Sequence, residues 1–249
     1  NFNYDGGWRD HSESYLQTFY SDVRYRNDDT ELFLNIGQAF TDLRGNGAMP
    51  LSLADLEGRD AVYTYPDNTH NKNYYLNLGG NHFVNDTLSI QGNMYYRHME
   101  RRNYNGDEFE GKDCGLSFDG SAGAADNTLC GEFEAAGAGN GVSFLTVGGN
   151  TINYANLGIT LGDENEMENA GAINRSNTKT DAFGFNLQSL YDSQLLGKNN
   201  TFIGGINYDF SKNSFGSSTE LGVIQSDRGV IGTGVFVSTD EEGEEQFIT

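Results

Sequence analysis

Proline is nearly missing from this chain, with 2 residues in 249, and tryptophan occurs once. Cysteine is limited to Cys114 and Cys130. Basic residues are few: 15 Lys and Arg stand against 36 Asp and Glu, a formal charge of −21. A nucleic-acid partner needs a basic footprint, so that class is excluded. No apolar run reaches the length of a membrane-spanning helix. The catalytic signatures G-x-S-x-G and H-E-x-x-H are missing too, and the neighbours His11 and Ser12 are close in sequence only, so no enzyme and no cofactor is expected. No leader precedes Asn1, which opens a polar segment without Met; this points to an excised piece of a longer protein.

Glycine, by contrast, is abundant at 33 residues, and Tyr and Phe number 14 and 16. That composition favours strands and loops over helices. The clearest stretch is Asn73 to Arg97, NYYLNLGGNHFVNDTLSIQGNMYYR. Side chains alternate across a strand, so Tyr74, Leu76, Leu78 and Gly80 share one face, with Tyr75, Asn77, Gly79 and Asn81 opposite. After the turn VNDT, Leu88, Ile90, Gly92, Met94 and Tyr96 alternate with Ser89, Gln91, Asn93, Tyr95 and Arg97. Tyr at the ends, aliphatic or small residues between them and amides opposite suit a wall between lipid and a wet lumen.

The same rhythm recurs. Phe19, Ser21, Val23 and Tyr25 lie on one face before the turn Asn27-Asp28-Asp29, and Leu32, Leu34, Ile36 and Phe40 follow it. Phe183, Phe185, Leu187 and Ser189 precede a turn within Gln194–Asn200, and Phe202, Gly204, Ile206, Tyr208 and Phe210 return from it. The expected hairpins therefore cover 15–41, 73–97 and 177–211, in one domain spanning 1–249. Long connections fill 42–71, 98–174 and 211–249, the last holding a weaker strand pair or a loop excursion over Thr219 to Val237, and the segment before Ser14 reads as irregular. LSLADLEGRD holds one helical turn. The stretch from Glu134 to Ile159 forms small strands or a short helix. Short turns fall on one rim and long loops on the other, as in outer-membrane barrels. The fold class is all-β: an antiparallel up-and-down transmembrane barrel segment, an open sheet of hairpins.

Cys114 and Cys130 lie in one Gly-rich loop, which suggests a disulfide in an oxidising compartment; two free thiols are the alternative. No third or fourth ligand stands at zinc spacing. The acid run Asp163, Glu164, Glu166 and Glu168 lacks the spacing of a calcium loop, as do Asp240 to Glu245, so both read as solvated. Arg97, His98, Arg101, Arg102 and Tyr104 crowd the outer end of a strand. Guanidinium groups grip carboxylate or phosphate, and aromatics stack on flat ligands, so an anionic chelate suits the cluster. The competing reading is a salt-bridged loop root with Asp107, Glu108 and Glu110 as partners.

WRDHS before a strand, RGNGAMP, YTYPDNTHN, YYR followed by NYNGD, and INRSNTKTDAFGFNLQ leading through LLGKNN into TFIGGINYDFS come in an order that resembles the barrel of a TonB-dependent outer-membrane receptor. The resemblance covers most of this chain and about a third of such a barrel, which has roughly 22 strands around a plug. It implies an internal barrel segment, with the plug and the closing strand outside it. It further implies import across the bacterial outer membrane of a scarce ligand, such as an iron chelate (siderophore), cobalamin or a saccharide. Energy would come from the TonB-ExbB-ExbD complex acting through the plug, with outer-membrane lipid around the wall. The alternatives are a passive porin-like or adhesin-like barrel and a secreted, soluble Gly-rich β protein.

Overall fold

The computed structural model describes residues 1–45, 47–109, 111–113, 127–133, 141–144, 146–147, 150–162 and 167–236. Its frame is one antiparallel sheet. The strands are β1 (Phe2–Asp5), β2 (Ser14–Arg26), β3 (Thr30–Arg44), β4 (Asp67–Asn85) and β5 (Leu88–Glu108). Three short strands follow, β6 (Gly111–Asp113), β7 (Leu129–Phe133) and β8 (Gly141–Phe144), then the small pair β9 (Thr146–Val147) and β10 (Asn150–Thr151). The main sheet resumes with β11 (Ala170–Leu195), β12 (Lys198–Ile224) and β13 (Val230–Phe236). Its eight strands run in the order β1-β2-β3-β4-β5-β11-β12-β13, neighbour to neighbour and open at both edges. The chain is therefore all-β with up-and-down topology, as its alternation implies.

Register puts the apolar residues of every hairpin on one face. Val23 pairs with Leu34, Leu34 with Leu78, Leu78 with Met94, Met94 with Phe185 and Phe185 with Tyr208. The next row joins Ser21, Ile36, Leu76, Tyr96, Phe183 and Phe210. Directly opposite residues share a face, so these rows form one continuous apolar band. It is bare: Ile206 is 61% exposed, Met94 56% and Phe202 54%. Contiguous exposed apolar surface of this kind marks a face that meets a partner, a ligand or a membrane.

The tight turns lie together on one rim. Asn27 Oδ1 accepts from the amides of Asp29 and Thr30, and Asn85 Oδ1 from those of Thr87 and Leu88, so an Asn side chain closes each turn. At the third turn Leu196 (φ 55°) and Gly197 (φ 74°) both adopt left-handed backbone, as a type I′ hairpin requires.

The strands are longer than the hydrophobic alternation suggested: β4 has 19 residues, β5 21, β11 26 and β12 27. The expected connection 42–71 contracts to 45–66 and 98–174 to 109–169. Within the expected connection 211–249, β12 runs on to Ile224 and β13 covers Val230–Phe236, so of the two readings of Thr219 to Val237 the strand pair is the one found. The segment before Ser14, expected to be irregular, contains β1. One connection on the tall rim is short, the turn 225–229, so that rim is not built of long loops alone. The physical reason is uniform. Beyond Tyr74 and Tyr96 the positions in phase with the apolar band turn polar or charged, which ends the hydropathy signal while backbone pairing continues.

Leu51–Glu57 forms the expected short helix, α1. Among the described residues a compact core forms only near the tall rim. Leu129, Ile152, Tyr154, Ile159 and Met167, from the connection between β5 and β11, pack on Ala170 and Leu221. On the other side of the same strands, Val230 seats against Gly171 and Gly222. A Cβ on either would stand 2.8 Å from Val230 Cγ1, so β13 can close over the sheet only because both positions are glycine.

Candidate functional site

The face opposite the apolar band is a hydrogen-bonded amide wall. Asn35 Nδ2 donates to Asp22 at 2.9 Å, Asn77 Nδ2 to Asn35 at 3.2 Å, and Asn93 Nδ2 to Asn77 at 3.1 Å, a relay from β2 to β5. Gln91 donates to Gln188 across β5 and β11 at 3.0 Å, and the Tyr95 hydroxyl donates to Asp209 at 2.6 Å. Amides both donate and accept, so such a wall hydrates well and binds neutral polar groups.

The sequence cluster Arg97, His98, Arg101, Arg102 and Tyr104 does not converge. All five lie inside β5, which continues to Glu108, rather than at a strand end. Alternation sends Arg97 and Arg101 to the amide wall, opposite Ala182 and Thr178. It sends His98, Arg102 and Tyr104 to the face of the apolar band, just above the band itself. His98 Nδ1 lies 2.8 Å from Asp181 Oδ1, which also accepts from the Tyr96 hydroxyl at 2.7 Å. The expected acid partners are also replaced. Arg102 Nε donates to Glu100, on its own strand, at 2.8 Å, and Glu108 instead accepts from the Tyr63 hydroxyl. Glu110 lies outside the described residues.

Arg102 and Tyr104 join residues that the sequence reading left out. An open groove of about 960 Å³ is lined by His70, Arg102, Tyr104, Arg175, Lys179 and Phe236, among others. The Arg175 guanidinium lies 5.1 Å from the Tyr104 ring and 5.7 Å from the Phe236 ring, and pairs with Glu220 at 2.6 Å. Its Nη1 is buried and has no hydrogen-bond partner among the described residues, as is true of the nearby Asn177 Oδ1. Glu100 is shared by Arg102 at 2.6 Å and Lys179 at 3.8 Å. Spaced cations flanked by aromatic rings grip an anion that also has apolar surface. The signal for Arg175 and Lys179 was the unbroken alternation of INRSNTKTD, which puts Arg175, Asn177 and Lys179 on one face.

A second cluster missed in the sequence ties the tall rim together. The His11 ring stacks on Tyr65 at 3.8 Å, and Arg9 Nε donates to the Ala61 carbonyl at 3.3 Å. The Tyr65 hydroxyl donates to Asp227 at 2.9 Å, and Arg228 Nε donates to the Tyr63 carbonyl at 2.6 Å while lying over the Tyr63 ring. These bonds span from the β1–β2 connection to the β12–β13 turn. The hydrogen bond to Asp227 is the main cause raising the Tyr65 pKa, and that to Glu108 raises the Tyr63 pKa. The Gly229 amide, then the Tyr65 hydroxyl, lower the pKa of Asp227.

Cys130 lies in β7, but Cys114 is outside the described residues, so the expected disulfide is too; so are Asp163, Glu164, Glu166 and the acidic run 240–245. Among the described residues no three His, Cys, Asp or Glu side chains group as metal ligands, and no helix is long and apolar enough to cross a membrane. Comparison with protein-family models and with curated proteins found no match to this chain.

Proposed function

We propose that this chain is part of the wall of a β-barrel in a bacterial outer membrane, and that the barrel is an energy-coupled receptor importing a scarce ligand such as an iron chelate, cobalamin or a saccharide. The observation that carries the reading is the bare apolar band, in register across β2, β3, β4, β5, β11 and β12, with the amide wall behind it. From Phe202 to Phe210 the band covers about 27 Å of strand, or about 20 Å of height at a barrel tilt of about 40°. Apolar bands of outer-membrane barrels are about 25 Å tall.

The edges support closure by further strands. β13 pairs with β12 only near its end, at Glu220 and from Gly222 to Ile224, so among the described residues the long edge below Glu220 has no partner strand. β1 pairs only with Ser14 to Gln17 of β2. Open edges beside an apolar face aggregate in water, and lipid tolerates none. The receptor reading, rather than a passive porin-like or adhesin-like barrel, draws on the ordered resemblance of the chain's segments to TonB-dependent receptors. Partners would be a plug, the TonB-ExbB-ExbD complex and outer-membrane lipid.

Two measurements test this. The full-length protein should sediment with outer membranes and need detergent to stay monodisperse; a monodisperse monomer in plain buffer would leave the soluble, secreted reading. A deletion strain should lose growth on one iron, vitamin or glycan source, and uptake should stop when the proton gradient is collapsed. Uptake that survives the collapse would assign a passive pore.

A further inference from the structure

On the lipid-facing side, the band gives way to a belt of cations. Lys72, Arg102, Arg175, Lys179 and Lys212 stand on β4, β5, β11 and β12, all in phase with the apolar residues below them. They face Glu100, Asp181 and Glu220, so the belt has more cations than carboxylates in a chain of net charge −21. Lys212 pairs in register with Asp181, directly above Phe183 and Phe210. Above them, the groove between Arg102, Lys179 and Arg175 opens on the same side as the band. A molecule in that groove lies flush with whatever covers Phe183, Tyr96 and Phe210.

We propose that this belt and groove bind the phosphorylated headgroup of a membrane lipid, with its acyl chains lying down the apolar band. The proposal rests on the membrane reading given above. Its own warrant is the vertical order on one face: hydrocarbon-compatible residues, then Tyr74, Tyr96 and His98, then cations, of which Arg175 keeps one guanidinium nitrogen with no hydrogen-bond partner among the described residues. A carboxylate ligand entering through the lumen would meet Arg97 and Arg101 on the opposite face, not this groove. Glu100 sets the strength of the site, because its carboxylate, whose side chain is only 12% exposed, occupies both Arg102 and Lys179.

The test uses the full-length protein, extracted in detergent, stripped of lipid and titrated by native mass spectrometry with phosphatidic acid, phosphatidylcholine and inorganic phosphate. Phosphatidic acid should bind best. Each cation near a membrane surface contributes enough that the double variant Arg102→Gln/Lys179→Gln should bind it on the order of tenfold more weakly. Glu100→Gln frees both cations and should bind it more tightly, an effect that misfolding cannot imitate. Arg97→Gln, on the other face, should match the parent protein. Equal binding of the two lipids, or a double variant equal to the parent, overturns the proposal. Inorganic phosphate binding as tightly as the lipid would make this a free-anion site and overturns it equally. Failure of the underlying membrane reading shows separately, before any lipid is added, as a protein that needs no detergent.

Discussion

Gly204 and Gly216 offer a clean test of what the bare face meets. Both lie on β12 and both point to the side of the apolar band, since Gly204 pairs with Ser189 and Gly216 with Asn177. A Cβ at either would have nothing within 4 Å, so neither Gly204→Arg nor Gly216→Arg costs packing. Gly204 sits within the band, between Phe202 and Ile206, whereas Gly216 stands about 20 Å farther along the strand than Phe210, beyond the band's last aromatic row. If water covers the whole face, both variants are ordinary surface substitutions, each within about 0.5 kcal/mol of the parent. If hydrocarbon covers the band, arginine costs about 2–4 kcal/mol at mid-depth and about 0–1 kcal/mol near an interface. Ile206→Arg, at the middle of the band and 61% exposed, should then be the worst variant, Gly204→Arg intermediate and Gly216→Arg close to neutral. Asn207→Arg, next to Ile206 but on the amide wall, should be close to neutral too. Reversible denaturation of the full-length protein folded into liposomes gives the four values. Equal values for Ile206→Arg and Gly216→Arg would refute a lipid-covered band.

Other perturbations probe the turns, the wall and the rim. Leu196, with φ at 55° and 96% exposed, holds left-handed backbone without packing, so Leu196→Asn should stabilise by about 0.5–1 kcal/mol in the same denaturation assay. Asn77→Leu removes the bonds to Asn35 and Asn93 and should cost about 1 kcal/mol, read as a lowered denaturation midpoint at unchanged slope. Gly171→Val drives a side chain into Val230 and should release β13, seen as faster proteolysis in the turn 225–229 with the lower sheet still protected. The rim clasp should respond to pH at both extremes. Asp227 has a lowered pKa, so its contribution is present above its unfolded value and lost as acid takes the pH down through its folded one. Tyr63 and Tyr65 have raised pKa values, so theirs is present below the ordinary tyrosine range and lost as pH rises through the folded values. Hydrogen-exchange protection factors at the amides of Tyr65 and Val230, corrected for the intrinsic pH dependence of exchange, should fall at both ends and be highest between them.

The lower half of the sheet was legible because one signal, period-two hydropathy, coincides there with the backbone. Tyr74, Leu76 and Leu78 on β4, and Met94 and Tyr96 on β5, were assigned the faces that register gives them. Asn27 and the VNDT turn marked the hairpins through side-chain chemistry that needs no tertiary context. The upper half was hidden by the loss of that signal. On β5, Glu100 and Arg102 continue the phase of Met94 and Tyr96, but charge replaces hydrocarbon, and a hydropathy reading ends the strand where the side chains turn polar rather than where pairing stops. β13 was legible as a strand only beside the alternative of a loop, and its seat was not legible at all: that seat depends on Gly171 and Gly222, and a missing side chain leaves no trace in an alternation pattern.

The functional cluster failed for a related reason. Proximity in sequence grouped Arg97 with Arg102, yet on a strand neighbours point apart, and the alternation that sorted Tyr95 from Tyr96 also separates Arg97 and Arg101 from His98, Arg102 and Tyr104 once β5 is carried to Glu108. What local pattern could not supply was the partner. Arg175 reaches Tyr104 because β11 lies beside β5 in a register that pairs those two residues, and that register is fixed by the apolar rows lower down, Met94 on Phe185 and Tyr96 on Phe183. A slip of one residue would turn every apolar side chain to the wrong face. The band therefore does more than meet its surroundings: it sets the alignment by which Arg102, Tyr104, Arg175 and Lys179 come to line one groove.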